Sequence, residues 1–524
     1  MSDQPNILFL LSDEHSYRYL SARSYEAGGE PCRTPTLDGL IQQGCHLSTT
    51  YCSMPLCSPS RISMLCGRHS HRCGAWGNGS ILDPEIPTFA SHLGRHGYAT
   101  STVGKMHLGG SLQHAGFQAR PYGDFGGPCG HQNDPLSQLH VRRGEPGMAL
   151  RSRTLDAGLS EVPESLLQEQ MVAREATAWL REQRHAHPQQ PWLLMASFSR
   201  PHFPLTAPRR FFERYYPTGV TPPRVGRSGD SQDHPMTLGA IAGFRTEEIE
   251  AEEAKKARAA YFACVDALDE ILGDFLAVLQ RDGLLDNTII IYTSDHGELA
   301  GEHGLWWKNT WHEGASRVPF IASLPEHRSG QLAAAEIAHP ASLADLFPTL
   351  CGLSKTPLAD DLDGIDLSPA VRGESCPALL QRPGVITESL APRWGAGTEF
   401  RAIRSKQYKY IAFRDCDNLA FDLVADPNEQ HNLVGRASGR TAEEIEELGR
   451  AVLDGFDFDA VEERRQRESA ALRHKYPARV QPQTSNQILR GDGILVEADQ
   501  PLYQPAIVSD APARDFDDFS QESP

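Results

Sequence analysis

Three features of the sequence predict an α/β protein with a mostly parallel sheet flanked by helices, a smaller antiparallel-sheet unit behind it, and an extended C-terminal arm. Short apolar, β-branched runs alternate with helical patterns over most of the chain, as they do where helices link parallel strands. The texture changes after about residue 380 to short alternating strands joined by polar turns. At 524 residues the chain is also long for a single core, so a large domain plus a smaller unit is expected.

The strands are read at "NILFLL" (6–11), "YATSTVG" (98–104), "WLLMASF" (192–198), "NTIIIYTS" (287–294) and "VPFIAS" (318–323). The strongest helical pattern runs from about Glu253 to Leu285. There Phe262, Val265, Leu268, Leu272, Phe275 and Leu279 recur at three- and four-residue steps, a core stripe and not a cofactor box. "GVITES", "FRAIRSKQYKYIAF" and "NLAFDL" form the antiparallel unit, followed by a helix near 441–454. The segment 221–235 reads as a surface loop. The division is therefore 1–380, an α/β domain; 381–455, an α+β subdomain; and 456–524, a charged, weakly periodic arm suited to assembling a homodimer or homotetramer.

Composition narrows the function. With 50 Lys+Arg against 68 Asp+Glu the formal charge is -18, which disfavours a nucleic-acid partner while leaving room for a local cationic pocket. No stretch is long and apolar enough for a membrane span, and "MSDQPNILFLLSDEH" lacks the basic start of a signal peptide. Eleven cysteines without a secretory signal point to reduced thiols in the cytoplasm. Cys45, Cys52, Cys57, Cys66 and Cys73 are spaced too widely for a structural zinc site.

Polar residues of metal-binding or anion-binding type follow each of four strands: Asp13 and Glu14, Lys105 and His107, His202, and Asp295 and His296. One such residue is usually a cap or turn former. Four such placements predict a shared crevice, because open α/β sheets bind ligands at the carboxyl ends of their strands. "CSPSR" (57–61) adds to it. Ser58 is expected as helix N-cap, Pro59 as the first helical residue and Gly67 as the stop, so Cys57 stands at a helix N-terminus, where an anion is favoured. Arg61, at i+4, is placed to turn back toward the same atom.

Together "CSPSRISMLCGR", "NILFLLSDE", "VGKMHLG", "SRPHFP", "YTSDHGELAGEHGLWWK" and "LAFDLVADPNEQHNLVG" resemble the type I sulfatases of the alkaline phosphatase superfamily over most of residues 5–435. In that family C-x-P-x-R directs oxidation of the cysteine to formylglycine. Cys66, "DE" and "DH" depart from the common pattern, and "DH" is closer to the choline sulfatase and phosphonate monoester hydrolase branches. The resemblance implies an alkaline-phosphatase-like fold in which 1–380 is catalytic, Cys57 is converted by a formylglycine-generating enzyme, and one divalent cation is bound.

That chemistry suits a sulfate ester, a stable monoanion. A thiolate would leave a thiosulfate adduct that water must break, whereas an aldehyde hydrate attacks sulfur with one hydroxyl and expels sulfate by C–O cleavage with the other. The resemblance assigns the metal to Asp13, Glu14, Cys57, Asp295 and His296, the imidazole making Mn²⁺ a competitor of Ca²⁺. It assigns Asp295 as acceptor of the attacking hydroxyl's proton, His107 as base for the second hydroxyl, Lys105 as holder of the formylglycine, and Arg61 as clamp on the hydrate. His202 and Lys308 would bind sulfate and protonate the leaving oxygen. Among Trp306, Trp307, Trp311 and His312, one is expected at the rim, facing an aryl or quaternary ammonium group. His69 and His71 are expected to be structural.

The expected activity is hydrolysis of small aryl or alkyl sulfate esters, an arylsulfatase-like reaction with side activity on phosphonates. The alternatives are a phosphonate monoester or phosphodiester hydrolase in the same site, a choline-sulfatase-type alkyl sulfate hydrolase, a non-catalytic binding protein, and a zinc phosphatase using Ser58 or Ser60 directly.

Overall fold

A computed structural model describes residues 4–123, 153–391 and 393–476, together with the backbone of two short strands at 487–489 and 495–497. Its main sheet has eight strands. In chain order they are β1 (Asn6–Asp13), β2 (Cys45–Leu47), β3 (Ala99–Gly104), β4 (Ala119–Tyr122), β5 (Trp192–Pro201), β6 (Thr288–Ser294), β7 (Phe320–Ser323) and β8 (Ala335–Ile337). Across the sheet the order is β8-β2-β7-β6-β1-β5-β3-β4. β1 pairs in parallel with both β5 and β6, β3 pairs in parallel with β5, and β7 alone runs against its neighbours.

The central strands are apolar on both sides because both faces are covered. Ile7, Phe9 and Leu11 of β1 enter one core, with Ile62, Leu65, Phe89 and Phe347. Leu8 and Leu10 enter the other, with Val172, Trp179, Leu268, Leu272 and Phe275. Helix α1 (Cys57–Cys66) lies on the first face; α2 (Gln168–Ala186) and α3 (Ala251–Arg281) cover the second. The expected stripe of α3 is buried from Phe262 to Leu279.

The expected strand 318–323 is divided. Pro319, which has no N–H to give a ladder, separates Arg317–Val318, paired with Thr50–Tyr51, from β7. A second sheet follows, β9 (Val385–Ser389), β10 (Phe400–Arg404), β11 (Tyr408–Phe413) and β12 (Leu419–Asp422), a meander of antiparallel pairs. Helix α4 (Gly439–Val452) packs on it through Leu448 and Val452. Within the stretch read as an arm, α5 (Phe458–Lys475) forms a helix whose Arg464 reaches the Arg72 carbonyl; the rest of 456–524 lies largely outside the described residues.

Candidate active site

Cys57 is the first residue of α1, following Leu56 in extended conformation. The expected capping by Ser58 does not occur. Ser58 lies inside the helix and its hydroxyl is drawn away to the His107 carbonyl, while the Ser58 N–H is taken by the side-chain oxygen of Asn78. Gly67 ends α1 in the left-handed region at φ 64, as expected of a helix stop. The Cys57 sulfur is wholly buried, 3.2 Å from His296 Nε2 and 3.8 Å from Asp13 Oδ1, and also hydrogen-bonds His107. Burial pushes this thiol up, yet Lys308, Lys105 and His296 outweigh it and hold the thiol well below its ordinary value.

Arg61 takes a different course from the one its spacing predicts. Its fork does not turn to Cys57 but spans the ends of β1 and β6: Nε meets Asp295 Oδ2 at 2.8 Å and Nη2 meets Asp13 Oδ2 at 2.9 Å. Nη1 donates to the Lys105 carbonyl at 2.5 Å and to Ser197 Oγ at 2.8 Å. Two facing carboxylates attract a rigid guanidinium more strongly than one thiol does. Lys105 Nζ stands 2.7 Å from Asp13 Oδ2. Burial and Cys57 oppose the charge on Asp13, but Lys105, His202 and Arg61 hold it far below the carboxylate range; Asp295 is pushed up by burial and by Asp13.

A donor atom from each of Asp13, Cys57, Asp295 and His296 lies within 4.8 Å of the others. The set fits a divalent cation. His296 Nδ1 is 3.0 Å from the Gly297 carbonyl; donating there leaves the lone pair of Nε2 facing the cluster, the usual support of a metal-binding imidazole. Arg61 and Lys105 occupy the Oδ2 atoms and leave Asp13 Oδ1 turned inward.

Glu14 belongs to a neighbouring group with Asp13 and His202. Its backbone has φ 70, held by a 3.2 Å bond from its N–H to Asp295 Oδ1 and by the Tyr261 hydroxyl on its carbonyl. Its Oε2 is 3.0 Å from Lys308 Nζ and 3.4 Å from His202 Nε2, while Oε1 is buried without a hydrogen-bond partner. Burial, with the Lys105 and Lys308 charges beside it, keeps His202 well below the usual imidazole range. Trp311 and His312 stack in the core and Trp306 packs in the cluster around Tyr261, so Trp307 is the tryptophan beside Lys308 and Phe203. His71 is tied to Glu388, away from this crevice.

Of the residues expected from the strand ends, Asp13, Lys105, His107, His202, Asp295 and His296 meet around Cys57, and Glu14 stands in the adjoining group with Asp13 and His202. Others were missed. Ser197 and Asn78 gave no signal, because a lone serine within a strand or asparagine in a glycine-rich turn has many structural uses. Glu298, which accepts the Ala300 and Trp307 N–H groups, and Arg153, laid over Trp307, lie in stretches without periodicity.

Known proteins resemble the chain over most of its length. The sulfatase family model matches residues 5–356, and the model described as N-sulphoglucosamine sulphohydrolase, C-terminal, matches 301–451. Choline-sulfatase of Rhizobium meliloti (strain 1021) is 30% identical over 448 residues, covering 83% of each chain. Arylsulfatase K of Bos taurus is 27% identical, covering 83% of this chain and 79% of its own. In fold the chain is similar to the phosphonate monoester hydrolase of Agrobacterium radiobacter, with TM-score 0.69 and 23% identity over 95% of this chain and 100% of the other. The chain belongs to the sulfatase family of sulfuric ester hydrolases.

Proposed function

We propose that the protein hydrolyses small sulfate monoesters, aryl esters before alkyl ones, with Cys57 carried as formylglycine after action of a formylglycine-generating enzyme. One observation carries the reading: Cys57 stands at a helix start among Lys105, Lys308, His107, His202 and a cluster of metal-type donors. As an aldehyde hydrate, this residue supplies a hydroxyl nucleophile and a second hydroxyl whose deprotonation releases sulfate. A divalent cation held by Asp13, Asp295 and His296 would supply Lewis acidity, and the imidazole favours Mn²⁺ over Ca²⁺.

The chain's own residues do the rest. His107, bonded to the position 57 side chain, is placed to take the proton of the second hydroxyl. Lys105 and Lys308 balance the charge of the sulfate oxygens. His202 and Lys308 meet at Glu14 Oε2 and are placed to hold the leaving oxygen, Lys308 as its proton donor and the neutral His202 as a hydrogen-bond partner. Arg61 acts by fixing the Asp13 and Asp295 carboxylates, and Glu14 by orienting Lys308 and His202. Phosphonate monoesters, also tetrahedral monoanions, are expected as slower substrates of the same groups. The ten described cysteines are all free, which supports a reducing, cytoplasmic setting. The charged segment 456–524 supports a homodimer or homotetramer, to be checked by light scattering on a chain ending near residue 455.

The test is the mass of the peptide containing Cys57 together with kcat/KM for 4-nitrophenyl sulfate and a phenyl phosphonate monoester. An aldehyde mass with sulfate preferred is expected. An unmodified thiol in protein made with the maturation enzyme, activity surviving Cys57→Ala, or a phosphonate preference of several orders of magnitude would overturn it.

A further inference from the structure

Beside the sulfur-binding groups lies a cluster that the chemistry above does not use. Phe203 rests on His202 with ring centroids 4.0 Å apart, and Trp307 meets Phe203 edge-on at 5.0 Å and Phe244 at 4.9 Å. These rings therefore begin one residue from each of the two groups, His202 and Lys308, proposed to hold the leaving oxygen. An aromatic wall so placed would ordinarily be free to take a cation from a substrate.

Here it is already occupied by the chain's own cations. The Arg153 guanidinium carbon lies 2.9 Å from the Trp307 centroid and 3.5 Å from that of Phe203. Lys308 Nζ is 4.9 Å and the Arg393 guanidinium 5.9 Å from the Trp307 ring. Arg153 also carries an unmet demand, since its Nε and Nη1 are buried without a hydrogen-bond partner. Burial, joined by Arg393, presses this guanidinium well below its ordinary range against the opposing pull of Glu14 and Glu298, so a hydrogen-bonding anion beside it would relieve a cost the protein otherwise bears. Two carboxylates face the same space and favour the Arg153 charge, but Glu14 is engaged by Lys308 and Glu298 accepts the Ala300 and Trp307 N–H groups, and neither gives Arg153 Nε or Nη1 a hydrogen bond. The cleft lined by Arg153, Phe203, Phe244, Glu298 and Trp307 encloses only about 20 Å³, within about 360 Å³ that includes the open solvent at its mouth, so a ring would reach the wall from that mouth.

We propose that Arg153, laid over Trp307 and Phe203, makes this wall a subsite for the leaving group: it selects a ring alcohol or phenol bearing a second anion and excludes a quaternary ammonium alcohol. The ring lies against Phe203 and Phe244, the second anion takes the free Nε and Nη1 of Arg153, and a cationic leaving group meets Arg153, Lys308 and Arg393, which outnumber the carboxylates of Glu14 and Glu298. This subsite deepens the sulfatase reading and rests on it.

The test uses 4-carboxyphenyl sulfate, 4-nitrophenyl sulfate and choline sulfate with the wild-type protein, Arg153→Lys and Arg153→Leu. In the wild type, kcat/KM for the carboxyphenyl ester should exceed that for choline sulfate. Arg153→Leu should lower the ratio of carboxyphenyl to nitrophenyl kcat/KM by about tenfold to hundredfold, the value of a lost charge-assisted hydrogen bond, and raise the relative rate on choline sulfate; Arg153→Lys should fall between. Calorimetric titration of the wild type with 4-hydroxybenzoate and with choline needs neither a variant nor turnover, and only the former should bind. Tighter binding of choline, or an unchanged ratio in Arg153→Leu, would overturn the subsite. Failure to cleave any sulfate ester while 4-hydroxybenzoate binds through Arg153 would overturn the sulfatase reading and leave the subsite standing.

Discussion

Replacing Lys409 by methionine should weaken the whole protein although the residue lies outside the catalytic groups. Lys409, on β11 and 2% exposed, places its ammonium 3.0 Å from Glu313 and 2.5 Å from Glu429, and donates to the Trp311 carbonyl at 2.9 Å. Methionine keeps the volume and removes the charge, so no cavity term enters. It leaves two buried carboxylates facing each other, with Arg317 at 3.4 Å from Glu313 and the Arg404 guanidinium near both as the remaining cations. Breaking a buried ion pair in this way costs about 3–5 kcal/mol. The unfolding free energy of Lys409→Met from urea titration at pH 7 should fall by that amount at constant m, and adding Glu429→Gln should recover more than half. Because Trp311 and Glu313 close the loop that carries Lys308, kcat should fall as well. A stability loss under about 1 kcal/mol, or a double variant no better than the single one, would refute the view that this ammonium holds the loop.

A pH dependence follows from Glu388, fully buried and held to about 2 by His71 and Arg401 against the opposing effect of burial. Its folded value is depressed, so its contribution is complete above the ordinary 4.5 and is lost as pH falls toward 2; the shift is worth about 3 kcal/mol. Urea midpoints between pH 5 and 3 should drop more steeply for the wild type than for Glu388→Gln. Gly104→Ala should cost about 3 kcal/mol or more and misplace Lys105, because at φ 96 a Cβ there would collide with the Ser197 carbonyl; thermal unfolding and kcat would report both. Lys308→Ala should lower kcat/KM for 4-nitrophenyl sulfate by about 10²–10⁴, the range of a lost acid catalyst. Dialysis against a chelator should abolish turnover, with Mn²⁺ restoring more of it than Ca²⁺.

Much of this architecture was legible because continuous apolar runs need cover on both faces, and that requirement fixes parallel strands and the crevice at their ends. β2, β4 and β8 escaped notice since strands of three or four residues carry no periodicity. Ser58 and Arg61 were placed by local spacing, and both found stronger partners from elsewhere in the chain: a carbonyl beside β3 for one, two carboxylates for the other. Helix α5 was hidden by its composition, since none of its residues is buried and no apolar stripe marks it. Arg153 could not have been found at all, because a cation–π contact leaves no trace in the spacing of its own segment.

The complete enclosure of Cys57 also sets an order of events in time. Under the proposed chemistry a second enzyme must grasp this residue, and it cannot do so once α1 is seated between the ends of β1 and β6. The opportunity lies between emergence of Arg61 and arrival of Lys308, roughly 250 residues of synthesis, or roughly 10–50 s at about 5–20 residues per second. Folding that closes early would therefore trap an inert thiol permanently, so a chain too quick to fold would be stable, correctly shaped and dead.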